Sequence, residues 1–236
     1  MNALILMTRI PIAGQTKTRL MDIMSGNECA RLHMAFLKDL FNTFRELENE
    51  VDIYLTYTPE NSLGIIEDII PKFIKAFPQR GEDLGNKMYN AIKDILSLGY
   101  KNVILIGSDI PNIKNEDIIE AFKILEQKDI VLGPSYDGGY YLVGMKKSNE
   151  GLFNINKRWG GRSVLESTIR VANNKSLSIG LAAKYMDIDT KEDLYEFMAN
   201  YENHEEKVAL NTLKLIKGWM ERIAQGETHK TNKTIY

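Results

Sequence analysis

The chain has 236 residues, a formal net charge of -2, 44% hydrophobic and 26% charged residues. This ordinary globular composition leaves room for one large α/β domain or two small ones, and its charge balance argues against wrapping nucleic acid or coating an anionic membrane. The single cysteine, Cys29, excludes an internal disulfide and a cysteine-built metal site. The apolar run near the start is too short to span a bilayer, and no basic region precedes it, so the chain reads as cytoplasmic.

Ala3 to Thr8 reads as a central buried strand. The loop Arg9 to Arg19 follows. Arg9, Lys17 and Arg19 are its charges, and no acidic residue appears before Asp22. Pro11 and Gly14 exclude a continuous helix. A cationic, glycine-containing loop directly after a first strand is where α/β proteins hold phosphates, the alternative being a solvated basic loop. It is not a P-loop, because Gly-Lys-Ser/Thr is missing. From Asn27 to Leu47 the residues Ala30, Met34, Leu37, Phe41 and Phe44 follow helical spacing, and Cys29 and His33 on this helix read as structural. Val51 to Tyr57 is a second strand, and Ser62 to Ile70 is expected to be a helix that stops before Pro71.

Leu84, Met88, Ala91, Ile92, Ile95 and Leu96 form an amphipathic helix with Asp83 near its N-terminus, where capping competes with ligand contact. Gly99 closes that helix. Val103 to Ile106 then runs into Gly107-Ser108-Asp109, a buried parallel strand ending in a carboxylate. Ligands gather at the carboxyl ends of such strands, where an Asp can hold a divalent cation against phosphate. The other reading of Asp109 is a cap on the helix that starts near Lys114.

Asn115 to Leu125 is a helix and Asp129 to Leu132 a strand. The strand enters a loop with Asp137, Gly138, Gly139 and Tyr140, which either approaches a ligand closely or is an ordinary Asp-Gly hairpin turn. Tyr141 to Met145 is the next strand. Phe153 to Arg162 is a loop around Trp159, and Val164 to Val171 is helical. Lys184 to Thr190 reads as a short strand with Asp187 and Asp189 on one face, followed by a Thr190–Asp193 capping box. Ala209, Leu213, Ile216, Met220 and Ile223 mark a last amphipathic helix that packs on the domain, the commoner outcome, or joins a second copy as a homodimer. Glu227 to Tyr236 is polar and frayed. With no repeats or linkers, residues 1–200 form one domain, and the helix and tail of 201–236 belong to it.

Strands and helices alternate from the start, so the sheet is mostly parallel with helices on both faces. The basic loop, Ser108-Asp109 and the Asp187/Asp189 pair all fall at strand ends. Cations, carboxylates and glycine together suit a metal-bridged nucleotide phosphate, and hard oxygen ligands imply Mg²⁺ or Mn²⁺.

Five motifs occur in order: Pro11…Gly14…Lys17-Thr18-Arg19-Leu20; Gly81…Asp83-Leu84-Gly85; Gly107-Ser108-Asp109-Ile110-Pro111; Gly133-Pro134…Asp137-Gly138-Gly139-Tyr140-Tyr141-Leu142…Gly144; and Asp187-Ile188-Asp189-Thr190…Asp193-Leu194. Over residues 1–200 the chain resembles the small bacterial glycosyltransferase-A-type, nucleotide-diphospho-sugar transferase proteins, some labelled arsenosugar-biosynthesis glycosyltransferases. It shares features with 2-phospholactate guanylyltransferases and molybdopterin cytidylyltransferases. The resemblance implies a three-layer α/β/α sandwich with one antiparallel strand. It implies a nucleotide over the first loop (Arg9, Gly14, Lys17, Arg19, with Asp83 and Ser108) and a sugar or acceptor pocket at Asp137 to Tyr140. Metal ligation would fall to Asp109 with Asp187 or Asp189. The sequence departs from the pattern in having Gly107-Ser108-Asp109 in place of Asp-x-Asp, and Gly160-Gly161-Arg162-Ser163 after Trp159.

Three functions follow. The first is glycosyl transfer from a nucleotide sugar to a small acceptor, with Asp137 as a base if the reaction inverts. The second is nucleotidyl transfer, in which a substrate phosphate attacks the α-phosphorus of an NTP and pyrophosphate leaves. The third is a non-catalytic nucleotide-binding or assembly protein that uses the C-terminal helix as an interface, which predicts binding without turnover and tolerance of Asp109→Asn.

Overall fold

The computed structural model describes residues 1–154, 164–201 and 208–224. Its centre is a seven-stranded sheet in the order β3-β2-β1-β4-β6-β5-β7. The strands are β1 (Asn2–Arg9), β2 (Asp52–Thr58), β3 (Ile74–Pro78), β4 (Asn102–Gly107), β5 (Ile130–Pro134), β6 (Tyr140–Met145) and β7 (Ile179–Leu181). The pairs β1–β2, β1–β4, β2–β3 and β5–β7 are parallel, while β6 runs antiparallel to both β4 and β5. Among the described residues β6 is the one reversed strand, in agreement with the single antiparallel strand that the resemblance implies. The β5–β6 connection is the hairpin alternative read at Asp137-Gly138.

Strands β1 and β4 are apolar on both faces because helices cover both. Leu4, Leu6, Ile104 and Ile106 pack on one side with the helix α1 (Gly26–Arg45) residues Leu37, Leu40 and Phe44 and with α3 (Asn115–Gln127). Ala3, Ile5, Val103 and Leu105 pack on the other with Met88, Ile92 and Ile95 of α2 (Leu84–Ser97). Each fully buried Leu or Ile contributes about 1.5–3 kcal/mol. Helix α1 starts where Ser25 and Glu28 form a reciprocal capping box. Where the register of β6 brings Gly144 against Ile104, an added Cβ would lie 2.7 Å from the Ile104 and Val131 side chains. That close approach requires the glycine.

A third cluster joins α1 to the C-terminal part of the chain. It contains Leu20, Met24, Cys29, Leu32 and Phe36, with Ile188, Leu194 and Phe197, and Ile216 and Trp219. Helices α5 (Lys191–Tyr201) and α6 (Leu210–Ala224) supply the last four of these. The last helix thus packs on the domain. Its buried stripe is Thr212, Ile216 and Trp219, while Met220 and Ile223 are exposed, so the apolar face is rotated from the expected one. The remaining helix, α4 (Val164–Asn174), packs beside Leu152 and Phe153.

Two segments differ from expectation. Ser62 to Ile70 forms two short 3-10 turns, Glu60–Ile65 and Glu67–Ile69, and not one helix. Gly64 and the mixed apolar-acidic spacing give it no continuous buried face. Lys184 to Thr190 is not a strand. The chain leaves the sheet edge after Leu181 and crosses over the strand ends, donating from Ala182 N to Leu132 O, from Tyr185 N to Pro134 O and from Ile188 N to Asp109 O. Residues 155–163, with Trp159, lie outside the described residues, as does the tail from Glu227 to Tyr236. No helix among the described residues is long and apolar enough to cross a membrane.

Candidate active site

A cavity of about 580 Å³ opens over the carboxyl ends of β1 and β4. Its walls bring together Arg9, Lys17, Arg19, Asp83, Ser108, Asp109, Asp137, Gly139, Tyr140, Asp187 and Asp189 from the sequence reading. Gly14 and Gly138 do not line it. Both have positive φ, 75° and 90°, and their service is to turn the chain. Gly14 also abuts Gly26, where an added Cβ would meet the Gly14 nitrogen at 2.8 Å, so the loop lies directly on the start of α1.

Lys17 is the hinge of the site. It stands before the 3-10 turn Thr18–Asp22 in the left-handed region, φ 49° and ψ 42°, a conformation that costs a non-glycine residue roughly 1–2 kcal/mol. Its buried ammonium meets Asp109 Oδ1 at 2.5 Å and donates to Asp189 Oδ1 at 2.9 Å and to the Ile188 carbonyl at 2.6 Å. All three of its protons are thereby committed. Burial alone would lower the Lys17 pKa, but Asp109 and Asp189 outweigh it and the pKa is raised. Its ammonium joins the first loop, the end of β4 and the segment that crosses it, and a phosphate contact at Lys17 stays an expectation. The more open cations are Arg19, whose side chain is 70% exposed and 3.9 Å from Asp189, and Arg9, which donates to the Gln15 carbonyl.

The carboxylates divide by partner. Asp109 does not cap α3, whose N-cap is Lys114 without a side-chain bond. Lys17, joined by Arg19, holds Asp189 below the usual carboxylate range. Asp187 is the crowded one. Burial, then Asp137, Asp189 and Asp109, push its pKa up to about 6. Asp137 spends Oδ1 on its own turn, accepting from Ser135 Oγ at 2.5 Å and Gly139 N at 2.8 Å. Asp83 is at the rim and caps α2, accepting from Asn86 N at 2.7 Å.

Sequence reasoning missed part of the wall. Gln79 bridges the ends of β1 and β2 by donating to the Thr8 and Thr56 carbonyls. His33, Thr8 and Thr16 also face the cavity. A polar residue on the α1 face that also buries Cys29, Leu32 and Phe36 was the available signal for His33.

Among the described residues no three His, Cys, Asp or Glu side chains are grouped to hold a metal by themselves. Mg²⁺ is often held by one or two carboxylates together with substrate phosphates, and that smaller requirement fits Asp109 and Asp187. Burial and three other carboxylates raise the Asp187 pKa, so a cation beside it would favour its ionised form.

The strand order, the reversed β6 and the charged cavity over the strand ends define the nucleotide-diphospho-sugar transferase class of fold. The family described as "Uncharacterized protein conserved in bacteria (DUF2064)" matches residues 43–160, half of the chain, and the chain belongs to that family. A solved structure from Desulfovibrio desulfuricans G20, provisionally named a nucleotide-diphospho-sugar transferase, matches with TM-score 0.84 and 27% identity, covering 95% of this chain and 97% of that one. The 2-phospho-L-lactate guanylyltransferase of Methanocaldococcus vulcanius is 28% identical over 210 residues, 86% of this chain and 89% of the relative. The 4-diphosphocytidyl-2C-methyl-D-erythritol synthase of Anaerococcus prevotii shares the fold, with TM-score 0.57, 12% identity and coverage of 86% and 99%.

Proposed function

We propose that this protein is a nucleotidyltransferase that joins the nucleotide of an NTP to a phosphorylated small acid and releases pyrophosphate. The observation that carries this reading over glycosyl transfer is the match, over 79–88% of this chain and 80–91% of theirs, to relatives named 2-phospho-L-lactate guanylyltransferase. The nucleotidyl alternative read from the sequence therefore replaces glycosyl transfer as the leading reading. The site suits the chemistry. A phosphate oxygen of the acceptor attacks the α-phosphorus, the bond from that phosphorus to the β-phosphate bridge breaks, and pyrophosphate leaves with the electron pair. Arg9 and Arg19 are the open cations for the triphosphate, while Lys17 orders Asp109 and Asp189 in the same cavity wall. Asp109 and Asp187 would hold Mg²⁺ or Mn²⁺, which when bound neutralises phosphate charge.

The test is pyrophosphate release from each NTP with a panel of phosphorylated hydroxy acids. GTP is the expected donor. Asp109→Ala should remain folded and lose divalent-dependent nucleotide binding by calorimetry; unchanged binding would remove Asp109 from the site. Glycosyl transfer stays as a second reading because of the name of the Desulfovibrio neighbour. Release of a nucleoside diphosphate from a nucleotide sugar, with no pyrophosphate from any NTP, would establish it and refute the first.

A further inference from the structure

We infer that His33 is a positioning residue, tying the loop after β1 to the ends of β1 and β4 and so holding Lys17 and Asp109 opposite each other. Its ring is buried at 3% exposure and uses both nitrogens. Nδ1 lies 2.9 Å from Thr16 Oγ1, while Nε2 lies 3.0 Å from Thr8 Oγ1 and 3.2 Å from Ser108 Oγ. Thr8 and Ser108 are also bonded to each other at 2.9 Å, which closes a triangle of polar atoms around Nε2. Each outer partner is one residue from the clamp: Thr16 precedes Lys17, and Ser108 precedes Asp109. Phe36, the i+3 neighbour of His33 on α1, has no polar atom to substitute.

The left-handed backbone at Lys17 shows why such a tie is needed. A non-glycine residue keeps that conformation only where its surroundings hold it. His33 fixes the residue before it, and Asp109 and Asp189 fix its side chain. Burial keeps the imidazole neutral, with its pKa lowered to about 4, so it retains one donor and one acceptor for the three hydroxyls.

The test compares wild type, His33→Leu and His33→Gln, the last retaining a donor and an acceptor. One arm needs no substrate: labelling of Lys17 by an amine-reactive reagent, read residue by residue by mass spectrometry. Wild-type Lys17 should be protected; in His33→Leu its labelling should rise roughly tenfold by local opening while other lysines are unchanged, and His33→Gln should restore protection. The other arm rests on nucleotidyl transfer. There kcat of His33→Leu should fall roughly a hundredfold, as for a displaced catalytic frame, with nucleotide KM within about threefold of wild type. A folded His33→Leu with Lys17 still protected and kcat unchanged overturns the inference, as does a uniform rise over all lysines. If His33→Leu does not fold, Thr16→Val, which removes one tie, is read by the same criteria. Absence of pyrophosphate release by the wild type would count against the proposed reaction and leave the labelling arm to decide the role of His33.

Discussion

Asp39→Ala should undock the last helix. Asp39 lies on α1, is 4% exposed, and holds the first turn of α6 from outside that helix. Its Oδ1 accepts from Asn211 N at 2.9 Å and Asn211 Nδ2 at 2.7 Å; its Oδ2 accepts from Thr212 N at 2.8 Å and Thr212 Oγ1 at 2.7 Å. The residue in the N-cap position, Ala209, has φ 52° and no side chain that can accept a bond, so the cap comes from a different helix. Losing an ordinary cap costs about 0.5–2 kcal/mol, and stranding buried donors of a charge-assisted cluster adds to it, so we expect a loss of about 2–4 kcal/mol. Urea denaturation measures the loss. Trp219, buried on α6, reports undocking by fluorescence in a Trp159→Phe background, since the chain has 2 tryptophans. The cluster under α6 contains Leu20 and Ile188, which adjoin Arg19 and the Asp187/Asp189 pair, so activity should fall with the Trp219 shift. A loss under about 0.5 kcal/mol with Trp219 still buried would refute the capping argument.

Asp187 gives a pH dependence. Its folded pKa of about 6 exceeds the ordinary 3.8, so ionising it costs stability; the penalty is absent below pH 3.8 and grows as pH rises through about 6. Because Asp187 is partly exposed, screening reduces the cost to about 1 kcal/mol. Asp187→Asn should therefore equal wild type in urea near pH 4 and exceed it near pH 8; a difference that shrinks with rising pH would contradict the assignment. Gly144→Ala should destabilise by about 1–3 kcal/mol through overpacking against Ile104 and Val131, with nucleotide affinity retained in calorimetry. Retained stability would mean that the sheet relaxes there.

Local pattern was legible where one physical signal dominated. The apolar runs of β1 and β4, the helical spacing in α1 and α2, and the Thr190–Asp193 box, in which Thr190 N donates to Asp193 Oδ2 at 2.7 Å, each follow from short-range chemistry. Arg9, Lys17, Arg19, Asp109 and Asp137 could be named because each ends or follows a strand, whereas Asp187 and Asp189 were named from a strand that the chain does not form. Their division could not. Nothing in the local sequence says that Lys17 saturates itself on Asp109, Asp189 and Ile188, since those partners are about ninety or more positions away along the chain and meet only after the sheet has formed. His33 was hidden for the same reason: its three partners come from β1, the first loop and the end of β4. The rotated face of α6 reflects Asp39, whose capture of Thr212 turns Ile216 and Trp219 inward.

The reversed strand explains how the acidic wall is assembled. Parallel neighbours end together, so β1 and β4 deliver Arg9 and Asp109 to one edge of the sheet. A parallel strand in the place of β6 would begin at the opposite edge. Because β6 is antiparallel, its first residue, Tyr140, and the short turn carrying Asp137 stay at the cavity. Asp187 and Asp189 then arrive by the crossing segment. That segment is pinned by its three backbone bonds and by side chains. Tyr141 donates its hydroxyl to the Ala183 carbonyl, and the Tyr185 hydroxyl accepts from Lys114 N while donating to Asp117. The fold therefore holds four carboxylates around one cavity wall beside the buried Lys17 ammonium, and burial first, then repulsion from the other three, raises the Asp187 pKa. On the proposed reaction, a cation arriving with a nucleoside triphosphate would relieve that repulsion, so crowding that costs the free protein stability would favour the bound state.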